Sequence, residues 1–279
     1  MIIDIHAHTY PENIVKKVVQ RMESVTGSRI EADGTPAGLV ASMERASIDR
    51  SVFLPVATTP KQVGKLNAQA VQIMEHYGGQ GLISFAAVHP DSERLKDLMR
   101  GIRQAGLKGV KIHPDYQDTY FDDARYMRIL DAASEQGLIV LTHAGMDEVY
   151  PDEVHCDVRR ILNVIDTVKS ENLILAHMGG WQMWEDVKKY VCGAPVYFDT
   201  AFSLTGTVNV ENTGVYGSML DDAQFVELVR KHGVEKVLFG SDTPWSNQQE
   251  NVEWVRGCSL TEQEKEQILG GNAAGLLGI

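Results

Sequence analysis

Residues 1–8 read MIIDIHAH, and the same design, an apolar run closed by an imidazole or a carboxylate, returns at 137–143 (GLIVLTH), 172–177 (NLILAH) and 236–242 (KVLFGSD). Short runs rich in Val, Ile and Leu, without polar alternation, read as strands buried on both faces. The full set is Ile2–Ile5, Ser51–Val56, Leu82–Val88, Gly109–Ile112, Leu138–Thr142, Leu173–Ala176, Val196–Phe198 and Lys236–Phe239. Helical patterns lie between them, at Thr35–Ala46, Gln62–His76, Ser92–Gln104, Asp123–Glu135, Val158–Lys169, Trp184–Tyr190 and Ala223–Lys231. A last one, Thr261–Leu269, opens with Thr261 three residues before Glu264, the spacing of a capping box. Gly106, Gly137 and Gly233 stand where helix C-termini should end. Strands alternating with helices predict parallel βαβ units, and eight such strands predict a single α/β domain over residues 1–279, a (β/α)8 TIM barrel. A doubly wound open sheet is the alternative.

The bounds agree. A chain of 279 residues suits one barrel of ~250 residues. With 43 % hydrophobic residues it has the material for a large core, and its formal charge of −12 argues against a nucleic-acid surface. Cys156, Cys192 and Cys258 are odd in number and widely spaced, which fits a reducing, cytoplasmic setting better than a disulfide framework. The N-terminus enters a strand at once, and no apolar run approaches the ~18 residues a membrane helix needs.

A barrel gathers the C-terminal ends of its strands at one mouth, so residues far apart in sequence meet there. His6 and His8, at i and i+2 on one strand, point to the same face and suit one ion at ~2.0–2.1 Å. His143, His177 and Asp242 end three other strands, each soon followed by Gly or Pro, which turn the chain sharply. Lys111 ends the fourth strand in GVKIHP. Three long connections, Tyr10–Pro36, Met146–Asp157 and Thr200–Asp221, follow strands and would rise around the same mouth; the last is read as a lid or substrate wall.

The set His6-x-His8, His143, His177 and Asp242 resembles the amidohydrolase superfamily, in its amidohydrolase-2 branch, which includes aminocarboxymuconate semialdehyde decarboxylase and related enzymes. The ending GGNAAGLLGI is similar to the tail of that branch, and the resemblance covers essentially the whole chain. It implies an enzyme with a divalent ion, zinc first, held by His6, His8, His143 and Asp242. His177 would stand beside the ion, and with Asp242 it would serve as a catalytic residue. If Lys111 is carboxylated as in binuclear members, it would bridge two ions and His177 would become a ligand. Otherwise Lys111 is a free ammonium that pairs with a substrate carboxylate.

Asp199, His113 and Trp181 are candidate substrate contacts. Asp199 also stands where it would orient His177. The resemblance implies a small-molecule substrate and two reactions. In the first, a metal-activated water attacks an amide, ester or lactone. In the second, a mononuclear carboxy-lyase or hydratase acts on an unsaturated or aromatic carboxylic acid. Decarboxylases of the branch clamp carboxylates with arginines, and FLPVATTP (53–60) offers none at the end of strand two. Dimers are common in the branch, which makes a homodimer an expectation.

Overall fold

A computed structural model describes residues 1–27, 30–206 and 219–279. Strand β1 (Ile3–Ala7) pairs in parallel with β2 (Arg50–Phe53), and β2 with the first half of β3 (Leu82–Ser84). The second half of β3 (Ala86–Ala87) continues into β4 (Gly109–Ile112), β5 (Ile139–Thr142), β6 (Leu173–Leu175), β7 (Tyr197–Asp199) and β8 (Val237–Leu238), all parallel and in chain order. The first and last strands also meet. Ile5 N–H donates to Phe239 O (2.9 Å), Asp242 N–H to His6 O (2.8 Å) and His8 N–H to Thr243 O (2.7 Å). The architecture is the expected TIM barrel.

The expected third strand, Leu82–Val88, is broken at Phe85, whose carbonyl takes the Ser84 hydroxyl at 2.7 Å. The break has a packing reason. Phe85 is fully buried with Ile3, Ile5, Val52, Leu54, Ile139, Leu141, Ile174 and Leu238, a cluster drawn from strands all round the barrel and therefore its interior. A Cβ at Gly109 would stand 2.8 Å from the Phe85 ring and 2.5 Å from Ile139 O, so the absent side chain makes room for that ring. The alternate strand residues, Phe53, Val110, Ile112, Val140, Leu175 and Phe198 among them, pack under the helices.

Two helices of ten or more residues were not anticipated. The connection Tyr10–Pro36 contains Glu12–Thr26, whose Val15 and Val19 are buried at helical spacing. Gln248–Gly257 is capped by Asn247 and buries Val252 and Val255. Both are short apolar stripes among charges, visible only once a strand end sets their start. The C-terminal segment keeps the Thr261–Glu264 capping box, then changes from α (Glu262–Glu266) to a π turn (Gln267–Gly271). Of the connection Thr200–Asp221, residues 207–218 lie outside the described residues, and the reading of that loop as a lid with them. No helix among the described residues is long and apolar enough to cross a membrane.

One buried side chain makes stability depend on pH. His232, 4 % exposed, lies flat on Phe198 (3.6 Å between centroids), donates from Nε2 to Val196 O (2.9 Å) and accepts Gly193 N–H at Nδ1 (3.2 Å). Burial pushes its pKa down from 6.5 to about 4. Between those values the unfolded chain binds the extra proton, so stability rises with pH across the window and is lost as pH falls through it. His232→Phe should remove up to about 3 kcal/mol of that pH-dependent loss. Urea unfolding of both proteins at pH 7 and pH 4.5 checks this; equal losses would count against it.

Candidate metal centre

His6 and His8 sit at the end of β1 and converge on one carboxylate oxygen: Asp242 Oδ1 is 3.4 Å from His6 Nε2 and 3.1 Å from His8 Nε2. The other ring nitrogens are committed. His8 Nδ1–H donates to Leu54 O at 3.0 Å, and His6 Nδ1 meets Asp199 Oδ2 at 2.8 Å. Both Nε2 lone pairs therefore face Asp242. Ligands at about 2.0–2.2 Å from a common ion stand roughly 3.0–3.5 Å apart. The Asp242 oxygen has that spacing from each imidazole, the three ligand atoms lie within 4.8 Å of one another, and the carboxylate behind His6 is the usual support for a metal-bound imidazole. The donor set fits a divalent ion.

His143 and His177 supply a second argument for a cation. Between the carbonyls of Ala201 and Met146 they form a chain of three contacts. Ala201 O meets His177 Nδ1 (2.8 Å), His177 Nε2 meets His143 Nδ1 (3.1 Å), and His143 Nε2 meets Met146 O (3.0 Å). Each contact needs one proton, and two neutral imidazoles bring only two. Burial keeps both rings neutral, His143 well below its ordinary range and His177 down to about 4. A cation at His143 Nδ1 relieves that conflict and leaves His177 Nε2 with its own lone pair.

Burial pushes the Asp242 carboxyl up, yet His6 and His8 outweigh it and hold it far below the usual range, so it stays an anion. Lys111 is fully buried with Nζ 3.3 Å from His6 Nε2. Burial lowers its pKa to about 8 against the pull of Asp199 and Asp242, and no carboxylate among the described residues comes within ion-pair distance. Asp242 (φ 67°) and His177 (φ 59°) both adopt the left-handed backbone that non-glycine residues avoid, the strain common at functional sites. At His177 it is held by bonds from its own N–H to Asp199 Oδ1 (2.9 Å) and from Met178 N–H to Asp199 O (2.6 Å).

The remaining candidates separate. Asp199 is fully buried, and its carboxylate is occupied by the His6 ring and the N–H groups of His177 and Ala201, so it faces those groups. His113 stacks on Tyr116 (3.8 Å) and on His143 (4.4 Å), with Nε2 3.6 Å from Asp147 Oδ2. The structure groups His143 with His113 and Asp147, not with His6, His8 and Asp242. Trp181, 3 % exposed, packs with Phe202, Met146, Met219 and Trp245, and its indole N–H has no acceptor among the described residues.

Sequence reading missed Asp147, Tyr10 and Tyr116. Burial, then the charge of Asp115, pushes Asp147 up to about 8. Burial and then carboxylates, Asp242 beside Tyr10 and Asp147 ahead of Asp242 beside Tyr116, raise both phenols. The available signal for Asp147 was its place four residues after His143, on the turn that leaves a ligand-bearing strand.

Comparison with known proteins places the chain. The amidohydrolase family model Amidohydro_2 matches residues 3–279. A gamma-resorcylate decarboxylase of Polaromonas sp. (strain JS666) is 21% identical over 234 residues, 69% of each chain. The structure of 2,6-dihydroxybenzoate decarboxylase complexed with 2,6-dihydroxybenzoate superposes with a TM-score of 0.73 at 13% identity, covering 100% of this chain and 99% of that one. A dihydroxybenzoic acid decarboxylase from Polaromonas sp. JS666, with bound manganese and the inhibitor 2-nitroresorcinol, gives 0.71 at 14% identity, covering 99% and 96%. With that match over nearly its full length, the chain belongs to the amidohydrolase family, as a metal-dependent enzyme built on a TIM barrel.

Proposed function

We propose that the protein is a metal-dependent carboxy-lyase that removes carbon dioxide from a small aromatic or unsaturated carboxylic acid. The observation that carries this is the His143–His177 pair, whose facing nitrogens lie 3.1 Å apart with the His177 ring 5.3 Å from that of His6. The named relatives are decarboxylases, which favours this reaction over hydrolysis.

His6, His8 and Asp242, whose ligand atoms the fold brings together, would hold the ion with His143 as the further donor that the family resemblance implies, and the ion would supply positive charge to draw in and polarise an anionic substrate. With His143 Nδ1 so engaged, its Nε2–H keeps Met146 O and His177 Nδ1–H keeps Ala201 O. His177 Nε2 is then free to carry a proton to the substrate carbon that loses carbon dioxide. The low pKa of His177 makes its protonated form a strong acid, as protonating carbon requires. Carbon gains one proton, the carbon–carboxylate bond breaks, and its electron pair stays on the carbon. Trp181 and Trp245 would wall a planar ring. Lys111 is the buried cation that would meet a carboxylate in the absence of an arginine on FLPVATTP.

Hydrolysis is the second reading, favoured by Lys111 alone: a buried lysine against a metal-ligand imidazole, without a carboxylate partner, is suited to carboxylation and a second ion. Zinc and manganese both suit imidazoles joined by a carboxylate. Metal analysis of protein purified without chelator or nickel resin separates the readings. About one equivalent is expected, and two would support the bridged site. In parallel, 2,6-dihydroxybenzoate and related acids, and a set of lactones and N-acyl compounds, are followed by ultraviolet absorbance. Turnover confined to lactones or N-acyl compounds would overturn the lyase.

A further inference from the structure

Asp4 lies outside the donor set, yet four hydrogen-bond donors close on its carboxylate. His6 N–H (3.0 Å) and Ser241 N–H (3.0 Å) donate to Oδ1, while the Ser241 hydroxyl (2.6 Å) and Gln248 Nε2 (2.7 Å) donate to Oδ2. The group is fully buried, and among the described residues no basic side chain pairs with it. An ionised carboxylate accepts all four bonds at once, whereas an asparagine in its place keeps one oxygen for the two backbone N–H groups and loses the acceptor that takes the Ser241 hydroxyl and Gln248. The site selects Asp, and it does so without a salt bridge.

The donors are chosen by position. One is the backbone of His6 itself, and two belong to Ser241, the neighbour of Asp242. The Ser241 hydroxyl also accepts Thr243 N–H (3.1 Å), so both flanks of Asp242 are gripped where its backbone enters the left-handed region. Gln248 extends the grip to Ser51 on β2 (3.2 Å). Beside this network, Asp242 N–H to His6 O and His8 N–H to Thr243 O tie the same two segments. We infer that Asp4 is a positioning residue: its carboxylate locks the end of β1 to the segment after β8 and so sets the spacing of His6 and His8 against Asp242. The inference rests on the donor set proposed above for its effect on metal affinity, and on the backbone geometry alone for its effect on the strand seam.

Two measurements on Asp4→Asn test it. The first is hydrogen exchange of the His8 and Asp242 amides in metal-free protein, and the second is manganese affinity by competition with a chelator. Protection of both amides should fall and affinity should weaken by ~10-fold or more, the scale of a lost outer support. Asp4→Asn/Gln248→Glu, which restores one carboxylate with the donor reversed, should recover most of both. Val255→Ala, a core change in the helix Gln248–Gly257, should lower thermal stability with manganese affinity kept. If Asp4→Asn does not fold, Ser241→Ala removes one donor and should show the same two losses in smaller measure. Wild-type protection and affinity in the folded Asp4→Asn protein would overturn the inference. So would losses matched by Val255→Ala at equal loss of stability. Wild-type protein that binds no manganese would sink the metal reading instead, and the exchange data would still decide the role of Asp4.

Discussion

Asp242→Asn is expected to lower turnover by at least ~10²-fold, the scale of a lost acid–base or charge-stabilising group, while the barrel stays folded. The reason is local. Asp242 supplies the one carboxylate oxygen among the described residues that both His6 Nε2 and His8 Nε2 face, at 3.4 and 3.1 Å. Asparagine preserves the shape but removes the charge that would balance a divalent ion. The fold should tolerate the change, because the bonds joining β1 to the segment after β8 run through backbone groups and through Asp4, not through the Asp242 side chain. The measurement pairs turnover of the substrate found in the acid screen with metal content by mass spectrometry. Unchanged turnover in a fully loaded variant would remove Asp242 from the mechanism.

Phe85→Ala should cost about 3–5 kcal/mol of stability. Its ring is fully buried in the barrel interior, surrounded by strand residues from opposite sides and seated over Gly109. Truncation leaves a cavity that rigid, hydrogen-bonded strands cannot collapse to fill. Urea unfolding near neutral pH reads the loss directly, and a cost under about 1 kcal/mol would mean that the interior relaxes around the gap. Both effects follow from the same construction: one layer of the barrel is apolar filling, and the layer at the mouth is a cage of imidazoles and carboxylates.

Much of this was legible in MIIDIHAH and its echoes. Apolar runs without alternation specify buried parallel strands, and a ligand-type residue at the end of each specifies which mouth carries chemistry. His6, His8 and Asp242, more than 230 residues apart in sequence, do meet. The helices Glu12–Thr26 and Gln248–Gly257 were less legible, because a narrow apolar stripe among charges gains its helical meaning from the surface that it covers. Asp147 was legible only through its place four residues after His143. Nothing in HAGMD distinguishes a buried carboxylate beside His113 from a solvated turn residue.

The sequence by itself determined which strands end in ligand-type residues, because an apolar run closed by a polar residue is a local pattern, whereas the register shift of β1 between Asp4 and Ala7, which breaks the period of two, was decided by the fold. The sequence also determined the order of strands, because short βα connections leave a parallel barrel few alternatives. Only the tertiary structure decided how those residues divide their work. Asp199 could have faced substrate, yet it is spent on His6 and His177 because barrel curvature turns β7 toward β1 and β6. The tautomers of His143 and His177 depend on Met146 O and Ala201 O, carbonyls that belong to loops and reach the rings only in the closed fold. Hydrogen bonding and burial are relations between distant segments, and those relations assign the roles.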